Sequence, residues 1–196
     1  MNFTAIILAG GQSRRMGSNK ALLSYHGKPL IQYSIDLALQ FTNQILISAN
    51  NRDLDYLGYP VIRDFFPVKA PLAGIHAGLR VSATDWNLVL TCDMPNVSKG
   101  LTDLLLTSLD DNLRMVVPQH DGFLEPLCGF YHRDLISLIE NNIAAGKLSL
   151  LDLPGLVPHC FLNMAGVPSA EIACLFRNLN ERKDLLISNS PGLTSS

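Results

Sequence analysis

The sequence lacks the features that would assign it to several broad classes of protein. No apolar run approaches the roughly 20 residues needed to span a bilayer, and the first residues show neither the basic segment nor the cleavage site of a signal peptide. The formal net charge is −2, and no basic stripe exists outside one short loop, which argues against a nucleic-acid binder. We therefore expect a cytoplasmic protein that binds neither nucleic acid nor a membrane.

Closely spaced cysteines are also missing. The four cysteines, at positions 92, 128, 160 and 174, lie far apart and form no C-x-x-C motif, which argues against a zinc site or a disulfide framework. The length of 196 residues and a hydrophobic content of 47% suit one domain with a sizeable core. We predict a single domain over residues 1–187, followed by a flexible Ser/Pro/Gly-rich tail over residues 188–196.

The most informative stretch lies near the start of the chain. Residues 3–8 are an apolar run whose length and isoleucine content predict a strand buried on both faces. Ala9-Gly10-Gly11 follows, where backbone amides can approach a bulky anion because the glycines carry no Cβ. Arg14 and Lys20 come next and could balance the charge of a polyphosphate held by the Gly10 and Gly11 amides.

Two familiar phosphate-binding motifs do not occur in this stretch. A Walker loop needs G-x-x-x-x-G-K-[ST], whereas Gly17 is followed by Ser18-Asn19-Lys20. A dinucleotide fingerprint needs G-x-G-x-x-G leading into a helix, and residues 10–15 do not match it. On the residues alone, a glycine turn followed by a solvated basic loop remains an alternative to the phosphate cradle.

The second strong signal is the segment from Trp86 to Pro95, in which a buried strand ends near Asp93. Mg²⁺ takes one or two carboxylates together with phosphate oxygens and water. An acid at a strand end that faces a phosphate-binding loop suits that role, so we predict that Asp93 is a magnesium ligand. The alternative is that Asp93 caps the helix expected to begin near Ser98.

Two other predicted strands, over residues 44–49 and 59–64, also end in polar residues. Because ligands bind beyond the carboxyl ends of strands in open parallel sheets, Ser48 and Asn50 are candidates for contacts to a base or ribose. Asp64 could accept hydrogen bonds from N1–H and the 2-amino group of guanine. The alternatives are an ordinary asparagine-rich turn and, for Asp64, a helix cap or a salt bridge.

Apolar residues at helical spacing predict helices from Pro29 to about residue 39, from 71 to about 82, from 98 to 109 and from 135 to about 146. Small residues at Ala70, Ala73 and Gly74 would let a flat base pack against the backbone. Strands and helices alternate through the first two thirds of the chain. This alternation predicts an α/β fold, a three-layer α/β/α sandwich around a Rossmann-like, mostly parallel sheet.

The pattern L-A-G-G-x-S-x-R-M-G-x-x-K, which begins at Leu8, closely resembles the signature of nucleotidyltransferases. Within them it is most similar to the molybdenum cofactor guanylyltransferases, the MobA family. The C-D-x-P motif at Cys92 resembles the metal site of the family, and the P-L-A-G motif at Pro71 resembles the family's G-P-L-A-G with Ala70 in place of the first glycine. The resemblance covers about residues 3–187, with the motifs in the expected order.

The resemblance implies a nucleotidyltransferase that uses Mg²⁺ to transfer GMP from GTP to the phosphate of molybdopterin or Mo-molybdopterin, with release of pyrophosphate. It also implies proteins that deliver or receive the cofactor. The implied catalytic residues are Arg14, Lys20 and Asp93. The substrate-binding candidates are Leu8, Ala9, Gly10, Gly11, Lys20, Ser48, Asp64, Leu72, Ala73, Gly74, Asp93, Glu125, Asn178 and Asn180.

The acceptor-side candidates follow from the resemblance alone. Glu125 lies in a segment similar to the family's E-P-L, and its alternative role is a charge on an edge strand. Asn178 and Asn180 match the family's F-x-N-x-N-T-P-E-D, although Glu181-Arg182 replaces T-P and Asn180 could simply cap a helix.

Three other functions remain as alternatives. They are a CTP-using molybdopterin cytidylyltransferase, a sugar-phosphate nucleotidyltransferase and a non-catalytic nucleotide-binding protein on the same fold. The Gly10-Gly11 pair and the P-L-A-G motif resemble the guanine-using group.

Overall fold

The computed structural model describes residues 2–10, 19–180 and 184. Its strands are β1 Thr4–Leu8, β2 Ser24–Tyr25, β3 Lys28–Pro29, β4 Ile45–Ser48, β5 Val61–Ile62, β6 Trp86–Thr91, β7 Met115–His120, β8 Phe123–Leu124, β9 Gly129–His132 and β10 His159–Asn163. Its α-helices are α1 Leu30–Ala38, α2 Pro71–Val81, α3 Lys99–Thr107, α4 Ile136–Ala144 and α5 Ser169–Leu175. Short 3₁₀ helices cover Lys20–Leu22, Asp55–Leu57, Arg133–Leu135, Leu150–Asp152 and Pro154–Leu156.

Eight of these strands form one sheet in the order β10-β7-β9-β6-β1-β4-β5, with β8 paired to β7. β1 runs parallel to β4 and β6, β4 to β5, and β7 to β10. β9 runs antiparallel to both β6 and β7, so these two strands point the same way. The carboxyl ends of β1, β4, β5, β6 and β7 therefore lie along one edge, where ligands bind in open α/β sheets.

Helices cover both faces of the sheet. Residues of α1, α3 and α5 pack in one apolar core cluster, and residues of α2 and α4 pack in another. Successive residues of β1 alternate between them: Ile7 belongs to the first cluster, and Ile6 and Leu8 to the second. The predicted three-layer α/β/α sandwich with a mostly parallel sheet is confirmed, as is a first strand that is buried on both faces.

Local chemistry explains where the helices begin. Pro71 starts α2, where its missing N–H costs no helical hydrogen bond. The hydroxyl of Ser98 accepts a hydrogen bond from the Leu101 amide at 3.3 Å and caps α3. The capping role considered for Asp93 therefore belongs to Ser98. Ala70 has φ −146° and ψ 147°, an extended conformation that alanine adopts readily, so this position needs no glycine.

Close packing joins α2 to the centre of the sheet. A Cβ added to Gly78 would lie 2.6 Å from two side-chain carbons of Ile6 in β1. Only a residue without a side chain allows the helix to approach the strand this closely. Since the amino end of α2 lies against the carboxyl edge of the sheet, this packing sets the position of the segment around Gly74.

The strand predicted over residues 59–64 is much shorter, because only Val61–Ile62 pairs with β4. The segment predicted as a broken strand forms β8 and β9, separated by a turn. Gly11, Arg14 and the predicted tail lie outside the described residues. In the part of the chain that the structure describes, no helix is long and apolar enough to cross a membrane.

Candidate active site

A cavity of about 630 Å³ opens at the carboxyl edge of the sheet. Its walls come from the ends of β1, β4 and β6, from the chain after β5 and from the amino end of α2. The lining residues are Leu8, Ala9, Gly10, Ser48, Asn50, Asn51, Asp64, Val68, Lys69, Ala70, Pro71, Gly74, Thr91, Asp93 and Leu127. This volume falls in the range of small-molecule and cofactor sites.

Asp93 and Lys20 are in direct contact at this edge of the sheet. Nζ of Lys20 lies 2.7 Å from Oδ2 of Asp93, and their side chains are 17% and 20% exposed. The hydroxyl of Thr91 donates to Oδ1 of Asp93 at 2.7 Å. Both carboxylate oxygens are thus held, and the contact joins the chain after β6 to Lys20.

The segment around Asn180 reaches the same point. Nζ of Lys20 also donates to Oδ1 of Asn180 at 2.7 Å. The amide of Leu179 donates to the carbonyl of Asp93 at 2.9 Å, and the Leu179 side chain is buried with Tyr25 and Leu30. Three segments that are distant in the sequence therefore meet around one ammonium group. Asn178, the other acceptor-side candidate here, is exposed.

The opposite end of the cavity is built on β4 and β5. Ser48 ends β4 with its side chain buried, and its carbonyl accepts a hydrogen bond from the Ala9 amide at 2.9 Å. A Cβ on Gly74 would lie 2.7 Å from Oγ of Ser48 and 3.7 Å from Oδ1 of Asp64. The bare backbone of Gly74 therefore leaves the space beside Asp64 clear.

Asp64 lies after β5, where its carboxylate accepts a hydrogen bond from Nδ2 of Asn50 at 2.6 Å. Partial burial raises the pKa of the Asp64 carboxyl above its ordinary value, because the charged form loses hydration. The hydrogen bond from Asn50 and the nearby His76 oppose that rise in pKa.

Not every predicted site residue lines the cavity. Leu8, Ala9, Gly10, Ser48, Asp64, Gly74 and Asp93 do so. Leu72 and Ala73 are fully buried within α2, Leu72 belongs to an apolar core cluster, and neither is among the lining residues. Their assignment as substrate-binding residues remains a prediction, as do those of Gly11 and Arg14, which the structure does not describe.

Glu125 lies on the other half of the carboxyl edge, after β8. Oε1 of Glu125 lies 2.9 Å from Nε2 of His120 at the end of β7. The His120 ring stacks on Phe176, with ring centres 5.4 Å apart and planes 9° apart. Leu127, two residues after Glu125, lines the cavity. Glu125 is thus fixed by a histidine, rather than projecting as a free charge from an edge strand.

Several lining residues were not identified from the sequence. Thr91 orients Asp93, yet a threonine within a buried β-strand is common and gives no signal of its own. Lys69 adds a cationic side chain beside α2, but a lone lysine in a loop usually faces solvent. Leu127 reaches the cavity only because the turn between β8 and β9 returns to the end of β6.

The donor set suits a cation that takes few protein ligands. Among the described residues, no group of three or more His, Cys, Asp or Glu side chains is arranged to hold a metal ion. Asp93 offers a single carboxylate in the cavity that Gly10 also lines, so an ion bound there would complete its shell with phosphate oxygens and water. The contact with Lys20 shows that a cation can occupy the space next to this carboxylate.

Comparisons with known proteins agree with this arrangement. Residues 5–154 match the MobA-like NTP transferase domain. The chain is 36% identical over 161 residues to the probable molybdenum cofactor guanylyltransferase of Flavobacterium johnsoniae, covering 82% of this chain and 85% of that relative. It is 35% identical over 184 residues to the molybdenum cofactor guanylyltransferase of Aliivibrio salmonicida, covering 92% of each.

The fold also matches a solved structure. The crystal structure of molybdopterin-guanine dinucleotide biosynthesis protein A from Archaeoglobus fulgidus has a TM-score of 0.77 to this chain, with 24% identity over 95% of this chain and 96% of that one. At that identity the likeness concerns the fold. The domain match covers most of the chain and the relatives align over most of their length, so this chain belongs to the family of MobA-like NTP transferase domains.

Proposed function

We propose that this protein transfers GMP from GTP to the phosphate of molybdopterin, or of its molybdenum-loaded form, and releases pyrophosphate. The names of the relatives support this reaction, since two of them are molybdenum cofactor guanylyltransferases at 35% and 36% identity. The product would be the guanine dinucleotide form of the cofactor.

The contact between Lys20 and Asp93 carries the proposal. It puts one ammonium and one carboxylate at the cavity that Gly10 lines, midway along the carboxyl edge of the sheet. Asp64 lies on the β4–β5 side of this centre, and Glu125 lies on the β7 side. A nucleotide with its base near Asp64 would therefore direct its phosphates towards Asp93, and the acceptor would approach from the side of Glu125.

The proposed chemistry is an in-line phosphoryl substitution. An oxygen of the acceptor phosphate attacks the α-phosphorus of GTP and forms a P–O–P bond. The bond from the α-phosphorus to the oxygen of the β-phosphate breaks, and pyrophosphate leaves with that electron pair. A phosphate monoester has a second pKa of about 6, so the attacking oxygen is already ionised at neutral pH and no general base is needed.

The protein then has to position the phosphates and balance their charge. Amides of Gly10 and Gly11 would bind phosphate oxygens, and Arg14 and Lys20 would offset the charge on the leaving pyrophosphate. Mg²⁺ held by Asp93 would supply electrostatic stabilisation of the phosphate oxygens. Thr91 keeps the carboxylate of Asp93 oriented towards that position.

Guanine selection rests on Asp64. Guanine presents two adjacent donors, N1–H and the 2-amino group, which match the two oxygens of a carboxylate. Cytosine presents the acceptors N3 and O2 on the corresponding ring edge, and uracil presents a single N3–H donor between two carbonyl acceptors, so neither offers two adjacent donors to the carboxylate. The bare backbone of Gly74 beside Asp64 leaves room for a flat base.

The acceptor side combines Glu125, Asn178 and Asn180. Asn180 shares the Lys20 ammonium with Asp93, so a group bound by Asn180 would lie close to the reacting phosphates. We also propose that the enzyme works in the cytoplasm, which the two buried free thiols of Cys92 and Cys128 favour, and that it exchanges cofactor with delivery and acceptor proteins.

The decisive experiment supplies the purified protein with Mg²⁺, one of GTP, CTP or UTP, and either molybdopterin or a sugar phosphate as the acceptor. Pyrophosphate release and dinucleotide formation are followed together, with a control that omits the acceptor. We expect pyrophosphate and dinucleotide only with GTP and acceptor present. Turnover with CTP would instead identify a cytidylyltransferase, and turnover only with a sugar phosphate would identify the other transferase class. Tight GTP binding without pyrophosphate release would indicate a binding protein.

A further inference from the structure

Asn50 and Asp64 form a two-point contact at the base end of the cavity. Oδ1 of Asn50 accepts a hydrogen bond from the Asp64 amide at 3.0 Å, and Nδ2 of Asn50 donates to Oδ2 of Asp64 at 2.6 Å. A single side-chain amide therefore holds both the backbone and the carboxylate of the same residue. Both residues line the cavity.

This contact continues the sheet where its backbone pairing ends. The β4–β5 ladder stops at the pair Ser48 and Ile62, and the last backbone bond runs from the Ala49 amide to the Ile62 carbonyl. β5 contains only two residues, so its ladder cannot hold the chain at Asp64. The Asn50 amide takes the place of the next pair of backbone groups, which fixes Asp64 relative to β4.

The contact also distinguishes the two oxygens of the carboxylate. Oδ2 accepts from Asn50, while Oδ1 lies 3.7 Å from the position that a Cβ would occupy on Gly74, another cavity-lining residue. Without Asn50, the Asp64 side chain could rotate about its own bonds, and its carboxylate would have no fixed direction. Among the described residues, His76 also acts on this carboxylate and opposes the rise in its pKa.

We propose that Asn50 is a positioning residue for base selection, which acts by orienting the Asp64 carboxylate. This inference rests on the proposed function, in which Asp64 accepts the donors of guanine. It assigns to Asn50 no contact with the ribose. Discrimination between nucleotides then depends on a residue one strand away from the carboxylate that reads the base.

The test measures dissociation constants by calorimetry, with Mg²⁺ present, for GTP, inosine triphosphate and 2′-deoxyguanosine triphosphate. Inosine triphosphate lacks only the 2-amino donor of GTP. The ratio of its dissociation constant to that of GTP therefore measures how strongly Asp64 recognises the 2-amino group. In Asn50→Ala we expect GTP to bind about tenfold more weakly, in line with the loss of a hydrogen bond to a charged group. The preference for GTP over inosine triphosphate should largely disappear.

Two further variants separate positioning from direct contact. Asn50→Asp has the same shape but cannot donate to Asp64 and repels it, so GTP affinity should fall further. In an Asp64→Ala background, Asn50→Ala should change GTP affinity little, because residues that act through one another are not additive. Asn43→Ala is the matched control, since Asn43 is an exposed asparagine just before the opposite end of β4.

Three outcomes would overturn the proposal. The first is an unchanged preference for GTP over inosine triphosphate in Asn50→Ala with its melting temperature preserved. The second is a loss that occurs with GTP and not with 2′-deoxyguanosine triphosphate, which would place Asn50 on the ribose. The third is an additive loss in the Asp64→Ala background. If the unmodified protein itself showed no preference for GTP, the proposed function would be at fault instead.

Discussion

The ammonium of Lys20 lies 2.7 Å from the carboxylate of Asp93, although 73 positions separate the two residues in the chain. Each group satisfies the charge of the other in a place where both are mostly buried. A bound triphosphate would attract the ammonium, and a divalent cation would attract the carboxylate. Under the proposed function, substrate binding would therefore replace the ion pair between Lys20 and Asp93 by two others, one to the triphosphate and one to the divalent cation.

Replacing Asp93 by asparagine should lower the rate of pyrophosphate release by on the order of 10²-fold or more, as expected when a key electrostatic group is removed. The substitution keeps the shape of the side chain and its contact with Thr91, so the loss would reflect charge. Turnover is measured with saturating GTP and acceptor over a range of Mg²⁺ concentrations. Asp103→Asn, an exposed acid on α3, is the control. A near-normal rate would show that Asp93 is not a ligand of the metal ion.

Lys20→Met preserves the length of the side chain and removes its charge. We expect kcat/KM for GTP to fall about 10- to 100-fold, because a charged hydrogen bond contributes about 1.5–3 kcal/mol. Lys20→Arg should recover only part of this loss, since a planar guanidinium does not replace a compact ammonium between Asp93 and Asn180. Lys147→Met changes an exposed lysine and should leave kcat/KM unaltered. A fully active Lys20→Met protein would show that Lys20 does not balance the charge of the phosphates.

Gly78→Ala tests the packing of α2 on the sheet. The new methyl group would lie 2.6 Å from Ile6 carbons, and such overpacking costs about 1–3 kcal/mol of unfolding free energy. The matched control is Gly100→Ala in α3, where the nearest atom is 3.9 Å away, so stability should be kept or slightly raised. Urea unfolding compares the three proteins. Equal stability of Gly78→Ala and the unmodified protein would show that the helix can shift away from β1.

Cys128→Ala tests a pH dependence of stability. Burial raises the pKa of the Cys128 thiol to about 12. The unfolded chain therefore releases this proton from about pH 8.5, while the folded protein still holds it, so the thiol destabilises the fold progressively as the pH rises between these values. Between pH 7.5 and pH 9.5, the free energy of unfolding of the unmodified protein should fall by about 1 kcal/mol relative to that of Cys128→Ala.

Urea unfolding at both pH values measures that shift. Cys174→Ala is the control, because the same substitution is made there at an exposed position. A constant difference between the unmodified protein and Cys128→Ala across this range would mean that the thiol reaches solvent in the folded protein.

Much of the fold could be predicted from the sequence because its signals are local. The apolar run before Ala9 indicated a strand buried on both faces, and the structure confirms it. Ser98 and Pro71 were expected near helix starts and are found there. The strand predicted through Asp64 is too long, because pairing with β4 ends at Ile62 and the Asn50 side chain then replaces the ladder.

The candidate site could be predicted only in part from such local signals. The acid at Asp93 stood out because it follows a buried strand, and the concern over Ala70 came from a glycine in the related motif. The backbone at Ala70 is extended, so this position does not need the glycine that the related motif carries. The contact of Thr91 with Asp93 and that of Lys20 with Asn180 could not be predicted from the sequence, because nothing in the neighbouring residues specifies a partner.

The sequence by itself determined that buried strands alternate with amphipathic helices and that an acid follows the end of a buried strand, because these properties depend on adjacent residues. The tertiary structure decided which strand ends are neighbours. Through that order it decided that Lys20, Asp93 and Asn180 share one position and that Asn50 holds Asp64. Such contacts depend on strand order and register, which follow from packing the whole chain around its two core clusters.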